Sequence, residues 1–236
     1  RLQALLDKAA HLEAVRCAVV HPCDAESLIG ALDAARAGLI IPVLVGPIEK
    51  MRAIAAQANC DISGVELVGV PHSHAAAEKA SEMAAQGKVE ILMKGSLHTD
   101  ELLHAVLSQP NLRTGRRMSH VFRFDVPLYP KPLLVTDAAL NIFPTLLEKA
   151  DIIQNAIDFA HIMGTALPKV AILSALETVN PEIPSTIDAA GLCKMAQRGQ
   201  IRGGILDGPL AFDNAISAHA APVSYTHLRA HETKAN

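Results

Sequence analysis

The stretch Lys94-Gly95-Ser96-Leu97-His98-Thr99 gathers a cation, two hydroxyls, an imidazole and a glycine. Gly95 lets backbone amides approach a ligand closely, and Lys94 with the hydroxyls of Ser96 and Thr99 suits an anion. A helix starting at Thr99 would aim its N-terminus at the same place, although Asp100 and Glu101 in its first turn oppose that effect. The plainer reading is a capped turn with a solvated lysine, and His98 alone reads as structural. Arg113, Arg116 and Arg117 surround Gly115. Their forked guanidinium groups fit phosphate or a developing oxyanion, and equally well make a basic loop facing water. Asp137 and Asn141 flank a short apolar stretch, and Ser174 closes another. Asp207-Gly208 and Asp213-Asn214 follow a third. These polar residues read either as site carboxylates and amides or as turn and helix-end chemistry. His72 and His74 have chelating spacing but lack a third ligand, so they read as surface loop and no metal site is expected. His104 and His161 are expected to pack or hydrogen-bond within helices.

Such residues need a scaffold, and the apolar pattern supplies one. Aliphatic runs at 15–20, 39–45, 65–70 and 89–93 read as buried strands. Amphipathic helices fall between them at 24–37, 47–58 and 73–86, with a further one from 99. Asp24 and Ser73 serve as N-caps and Gly38 as a left-handed C-terminal cap. Further on, 121–126, 133–135, 170–174 and 203–206 read as strands. Prolines 127, 130 and 132 mark a junction there. Helices are expected at 144–163 and, from a Ser185/Asp188 capping box, through Arg198; a short one begins near Pro209. This alternation predicts an α/β fold with a parallel sheet covered on both faces. In such sheets ligands bind beyond the carboxyl ends of the strands, which points to the loops at 94–99, 136–141, 174–180 and 207–214. The turn His21-Pro22-Cys23-Asp24 has no glycine, so a dinucleotide fingerprint is absent.

Composition narrows the function classes. Half of the chain is hydrophobic, enough for a real core, and the formal charge of −3 gives no basic field for nucleic acid or an anionic membrane. No apolar run approaches the roughly 18 residues of a membrane helix, so a soluble, cytoplasmic protein is expected. Cys17, Cys23, Cys60 and Cys193 are scattered, and read as reduced thiols. Both ends look foreign to a complete protein. The chain starts at Arg1 rather than Met, and residues 222–236 read as a translated sequencing adapter rather than native protein.

Taken together, the loops carry a resemblance. Lys94-Gly-Ser-Leu-His-Thr-Asp-Glu-Leu-Leu, Leu112-Arg-Thr-Gly-Arg-Arg-Met-Ser-His-Val-Phe and Val135-Thr-Asp-Ala-Ala-Leu-Asn-Ile resemble the phosphate acetyltransferase and phosphate butyryltransferase family. So do Pro168-Lys-Val-Ala-Ile-Leu-Ser-Ala-Leu-Glu-Thr-Val-Asn-Pro and Ile205-Leu-Asp-Gly-Pro-Leu-Ala-Phe-Asp-Asn-Ala. The resemblance spans residues 1–221 and looks nearest the butyryltransferase-like branch, including forms fused behind an enoyl-CoA hydratase domain. It implies two α/β/α domains of the isocitrate/isopropylmalate dehydrogenase-like type, at 1–128 and 129–221, with the active site between them and a homodimeric assembly. The activity it implies is acyl transfer between acyl phosphate and coenzyme A, both small-molecule substrates, with no tightly bound cofactor. Lys94, Gly95, Ser96, His98, Thr99, Arg113, Arg116 and Arg117 would hold the acyl phosphate. Asp137, Asn141, Ser174, Asp207 and Asp213 would line the cleft and help position coenzyme A. The family's Ser-Arg pair and its acidic thiol base belong to a final segment that has no counterpart here. The expectation is therefore an active parent protein and an inactive 236-residue chain. A non-catalytic acyl-CoA-sensing domain is the alternative.

Overall fold

A computed structural model describes residues 2–217, so the expected foreign tail at 222–236 lies outside the described residues. The chain divides into two compact units, Arg1–Thr114 and Gly115–Asn236. The divide falls inside the arginine-rich segment, ahead of the proline-marked junction where the sequence placed it.

The first unit runs α1 (Leu2–Ala9), β1 (Val15–Val20), α2 (Ala25–Arg36), β2 (Ile40–Gly46), α3 (Ile48–Gln57) and β3 (Glu66–Gly69). It continues with α4 (Ser73–Ala85), β4 (Ile91–Lys94), α5 (Thr99–Leu107) and a 3-10 turn at Pro110–Leu112. The four strands are parallel in the order β3-β2-β1-β4. From β1 the chain steps outward to β2 and β3, then crosses back to place β4 on the other side of β1. Parallel crossovers are right-handed, so a reversal of direction moves the connecting helix to the opposite face.

The core shows that consequence. Cys17, Val19 and Leu44 face Leu28, Ala31 and Leu32 of α2 and Met51 of α3. Ala18, Val20, Val43 and Val45 face Ala76, Ala77 and Ala80 of α4 and Leu102 of α5. Strand periodicity of two thus sorts one buried strand between two helical layers. The expected caps form at α2: Asp24 accepts a hydrogen bond from the Ser27 amide at 2.7 Å, and Gly38 closes the helix at φ +71°. At α4 the cap is one residue earlier than expected, because the His72 ring accepts from the Ala75 amide at 3.2 Å.

The second unit is less regular. It holds β5 (Phe122–Phe124), β6 (Leu133–Val135), α6 (Leu146–Ile162), β7 (Lys169–Leu173), α7 (Pro184–Gln197), β8 (Ile205–Leu210) and α8 (Phe212–Ile216). β5 and β6 pair antiparallel, which corrects the expectation of an all-parallel sheet. The link between them, residues 125–132, is too short for the crossover that a parallel pair requires. β7 and β8 are parallel. Val170, Ile172 and Leu206 turn toward Ile153 and Ile157 of α6 and Leu192 of α7. The other face carries Leu173 and Ile205, both exposed, so among the described residues only one face of this sheet is covered.

Two local expectations fail in this unit. α7 begins at Pro184 without a side-chain cap, because Ser185 bonds to Ser174 and Asp188 pairs with Lys149. The capping box sits instead on α6, where Thr145 and Glu148 satisfy one another's amides. Pro209 does not open a helix. It lies inside β8, with α8 starting after Ala211.

Candidate active site

The strand order locates the first unit's site. The helices that follow the neighbouring strands β1 and β4 pack on opposite faces of the sheet, and ligands of open α/β sheets bind at such a switch point, beyond the carboxyl ends. Two loops meet there: His21-Pro22-Cys23-Asp24 after β1 and the 94–99 loop after β4. The amides of Gly95 and Ser96 donate to the carbonyls of Val20 and His21, each at 2.9 Å. Gly95 is buried, and a β-carbon there would stand 2.6 Å from the Val20 oxygen and 2.7 Å from the His21 oxygen. Glycine is therefore needed so that two backbones can touch. The amides of Gly95 and Ser96 are spent on that contact, which corrects the expectation that they serve a ligand.

The remaining donors of the loop face outward. Lys94, Ser96, His98 and Thr99 are exposed, and the Lys94 ammonium lies 3.4 Å from the Gly95 carbonyl. α5 starts at Thr99 with His98 as its N-cap and no side-chain hydrogen bond to its first amides. Those amides and the helix dipole thus open onto the switch point. Glu101, expected to oppose an anion, turns toward His74 of α4 at 3.6 Å and is largely buried there. Asp24 accepts from the Ser27 amide at 2.7 Å, and that bond holds its carboxyl below the ordinary aspartate value of 3.8. His21 and Asp24 are the residues that sequence reasoning missed: the absence of glycine in their turn argued against a dinucleotide and hid a polar turn at the switch point.

The arginine cluster comes apart. Arg113 belongs to the first unit, where its Nε donates to the Leu107 carbonyl at 2.8 Å and closes the C-terminal end of α5. The helix of nine residues separates it from Thr99 by about 13 Å. Arg116 and Arg117 belong to the second unit and lie along α6. Arg116 pairs with Asp158, while Arg117 reaches Glu148 at 3.0 Å and donates its amide to Asp151 at 2.9 Å. Asn155 donates to the Arg117 carbonyl at 2.9 Å. Glu148, Asp151, Asn155 and Asp158 recur at helical spacing and form one stripe, which is why the basic segment docks there. Bonding to Arg116 holds the Asp158 carboxyl below its usual range. The segment is an exposed loop, and both of its second-unit charges are met by carboxylates.

Asp137 and Asn141 do come together. Asp137 accepts from the amides of Ala139 and Leu140 at 3.0 Å and from the Asn141 side chain. Burial alone would raise its carboxyl, but these bonds outweigh burial and lower it. Asn141 in turn accepts from Arg117 at 2.7 Å and donates to the Met118 carbonyl at 3.0 Å. Arg117, Asp137 and Asn141 are thus one network.

Farther along, Ser174 directly follows β7, with its hydroxyl 2.7 Å from that of Ser185. Asp207 lies within β8 rather than in a turn and accepts from the Gly208 amide at 2.9 Å. Asp213 is exposed in the first turn of α8. Glu177, unmarked in the sequence, accepts from Ala211 at 3.4 Å and from the Asn214 side chain, so it ties the loop after β7 to the one after β8. Among the thiols, burial pushes Cys17 up to about 11, and burial with the nearby Asp207 does the same for Cys193. Neither is a nucleophile at neutral pH.

Comparison with known proteins fits these loops to a family. Residues 72–229 match the family model described as Phosphate acetyl/butaryl transferase. The chain is 59% identical over 206 residues to the phosphate acetyltransferase of Rhizobium meliloti, covering 87% of this chain and 65% of the relative. It is 41% identical over 210 residues to the phosphate butyryltransferase of Clostridium acetobutylicum, covering 89% of this chain and 70% of the relative. Of these two, the acetyltransferase is the nearer. Among solved structures, a branched-chain phosphotransacylase from Enterococcus faecalis V583 superposes with a TM-score of 0.73 at 26% identity, covering 90% of this chain and 74% of that one. The chain spans about two thirds of the length of the relatives it matches, 65% of the first. No helix among the described residues is long and apolar enough to cross a membrane. The chain belongs to the phosphate acetyl/butyryl transferase family.

Proposed function

We propose that the protein transfers an acetyl- or butyryl-type group between acyl phosphate and coenzyme A. The thiol sulfur attacks the acyl carbon, a carbon–sulfur bond forms, and the carbon–oxygen bond to phosphate breaks. The bonding pair leaves with phosphate, and the thiol proton passes to a general base. The observation that carries this reading is the uncapped start of α5 at the switch point, beside Lys94. Attack develops negative charge on the acyl oxygen, and both substrates are polyanions, so the chemistry needs fixed donors aimed at an anion. Lys94, the Thr99 hydroxyl, His98 and the first amides of α5 supply them, with Ser96 held by His21. Arg117, Asp137 and Asn141 form a rigid polar surface in the second unit suited to positioning coenzyme A, together with Ser174 and Asp207. No residue of this chain is assigned as the base.

The same reading takes the units as domains of the isocitrate/isopropylmalate dehydrogenase-like type. It further proposes a cytoplasmic homodimer acting on small molecules without a tightly bound cofactor. The test compares the chain as it stands with one completed to the length of the relatives, measuring thioester formation from acetyl phosphate and coenzyme A. Turnover by the completed chain that falls about 10–100-fold in Lys94→Ala is expected. Turnover unaffected by that substitution contradicts the assignment.

A further inference from the structure

His21 has no role in the family comparison or in the substrate contacts proposed above, yet its conformation is unusual. It is the first residue after β1, at the switch point, with a backbone φ of +54°. Side chains with a β-carbon seldom adopt this left-handed conformation, which suits glycine and, among other residues, asparagine. His21 is also 8% exposed, and it belongs to neither of the two apolar clusters that line the sheet. A buried imidazole held in a costly backbone conformation needs a polar reason.

The reason is Ser96. The His21 Nδ1 stands 2.6 Å from the Ser96 carbonyl oxygen, while the Ser96 amide donates to the His21 carbonyl at 2.9 Å. The two residues therefore clasp each other through one side-chain and one backbone bond. A carbonyl only accepts, so Nδ1 carries a proton, and in the neutral ring Nε2 is left as an acceptor. The His21 amide is anchored to the Val45 carbonyl at 2.7 Å, so the clasp is fixed to the central strands of the sheet. The turn after β1 thus grips residue 96 at its amide and its carbonyl. Lys94 and the start of α5 lie on either side of that residue.

We infer that His21 is a positioning residue: its imidazole holds the Ser96 carbonyl, and through it sets the 94–99 loop in the geometry that receives an acyl phosphate. The inference rests on the acyl-transfer reading for the identity of the anion, and on the structure alone for the clasp. His21→Gly keeps the left-handed backbone and deletes the ring. His21→Asn keeps a left-handed preference with a shorter donor, and guards against a variant that fails to fold.

Two measurements on the 236-residue chain separate the clasp from the ligand. Amide hydrogen exchange needs no ligand. In His21→Gly, exchange at Gly95 and Ser96 is expected to speed at least 10-fold, with β1 and β2 amides unchanged; unchanged exchange at the loop overturns the inference, whatever the chain binds. Titration with acetyl phosphate and, separately, coenzyme A then reads selectivity. Affinity for acetyl phosphate is expected to drop at least 10-fold in His21→Gly and less in His21→Asn, while affinity for coenzyme A stays within twofold. An equal loss for both ligands overturns the positioning role in favour of a general structural one. If wild-type protein leaves Ser96 and Thr99 unperturbed by acetyl phosphate while the exchange effect stands, the acyl-transfer reading of this loop fails and the clasp survives.

Discussion

Arg117 shows what a residue means only once its neighbours are known. In the sequence it is one of three arginines around a glycine, free to hold a phosphate. In the fold its side chain is shared between Glu148 and Asn141, and its amide is bound by Asp151. Its carboxylate partners come from a helix that starts well downstream, so no local pattern announces them. Asp24 is the opposite case, because a cap is a local device. Its carboxylate holds the Ser27 amide, so its folded pKa lies below the ordinary 3.8. A depressed carboxylate contributes stability that is complete above the unfolded value and lost as pH falls through the folded one. Asp24→Ala is expected to cost about 1 kcal/mol near neutral pH. That penalty should shrink as the pH drops below 3.8, which urea melts of both proteins near neutral and at acid pH will show. A penalty that does not change with pH contradicts the capping role. At Gly95 the approach of two backbones requires glycine, a contact that no local pattern in the sequence announces.

At the scale of elements, the legible parts are those set by local chemistry. β1 and β6 have the bounds read from their apolar runs, and α2 begins and ends at the expected Asp24 and Gly38. What escaped was pairing. The antiparallel β5–β6 pair and the continuation of β8 past Pro209 depend on which strand lies alongside, and hydrophobic periodicity carries no such information. The capping box at Ser185 and Asp188 fails for the same reason, since both side chains find partners outside α7. The two helical layers of the first unit give a direct test. Leu28 of α2 and Ala80 of α4 are fully buried on opposite faces of one sheet. Leu28→Ala leaves a cavity and is expected to cost roughly 2–5 kcal/mol. Ala80→Leu overfills a close helix–sheet contact and is expected to cost roughly 1–3 kcal/mol. Being on separate faces, the two should add within about 0.5 kcal/mol in denaturant melts. Strong coupling between them contradicts the layer assignment.

For the whole molecule, the strand order of the first unit does more than any single motif to say where chemistry belongs. The reversal at β1 and β4 puts an uncapped helix start, a lysine and a clasped serine in one place, and the proposed acyl transfer assigns that place its substrate. The second unit contributes a polar surface already assembled around Asn141, together with a sheet bearing exposed apolar side chains on its uncovered face. The central claim is that the 94–99 loop receives the acyl phosphate in acyl transfer. The most direct measurement is thioester formation by the chain completed to its relatives' length, in wild-type and Lys94→Ala forms, at saturating coenzyme A and varied acetyl phosphate. The account predicts turnover in the wild type and a kcat/KM for acetyl phosphate about 10–100-fold lower in the variant. Wild-type turnover with the same kcat/KM in both proteins would contradict it.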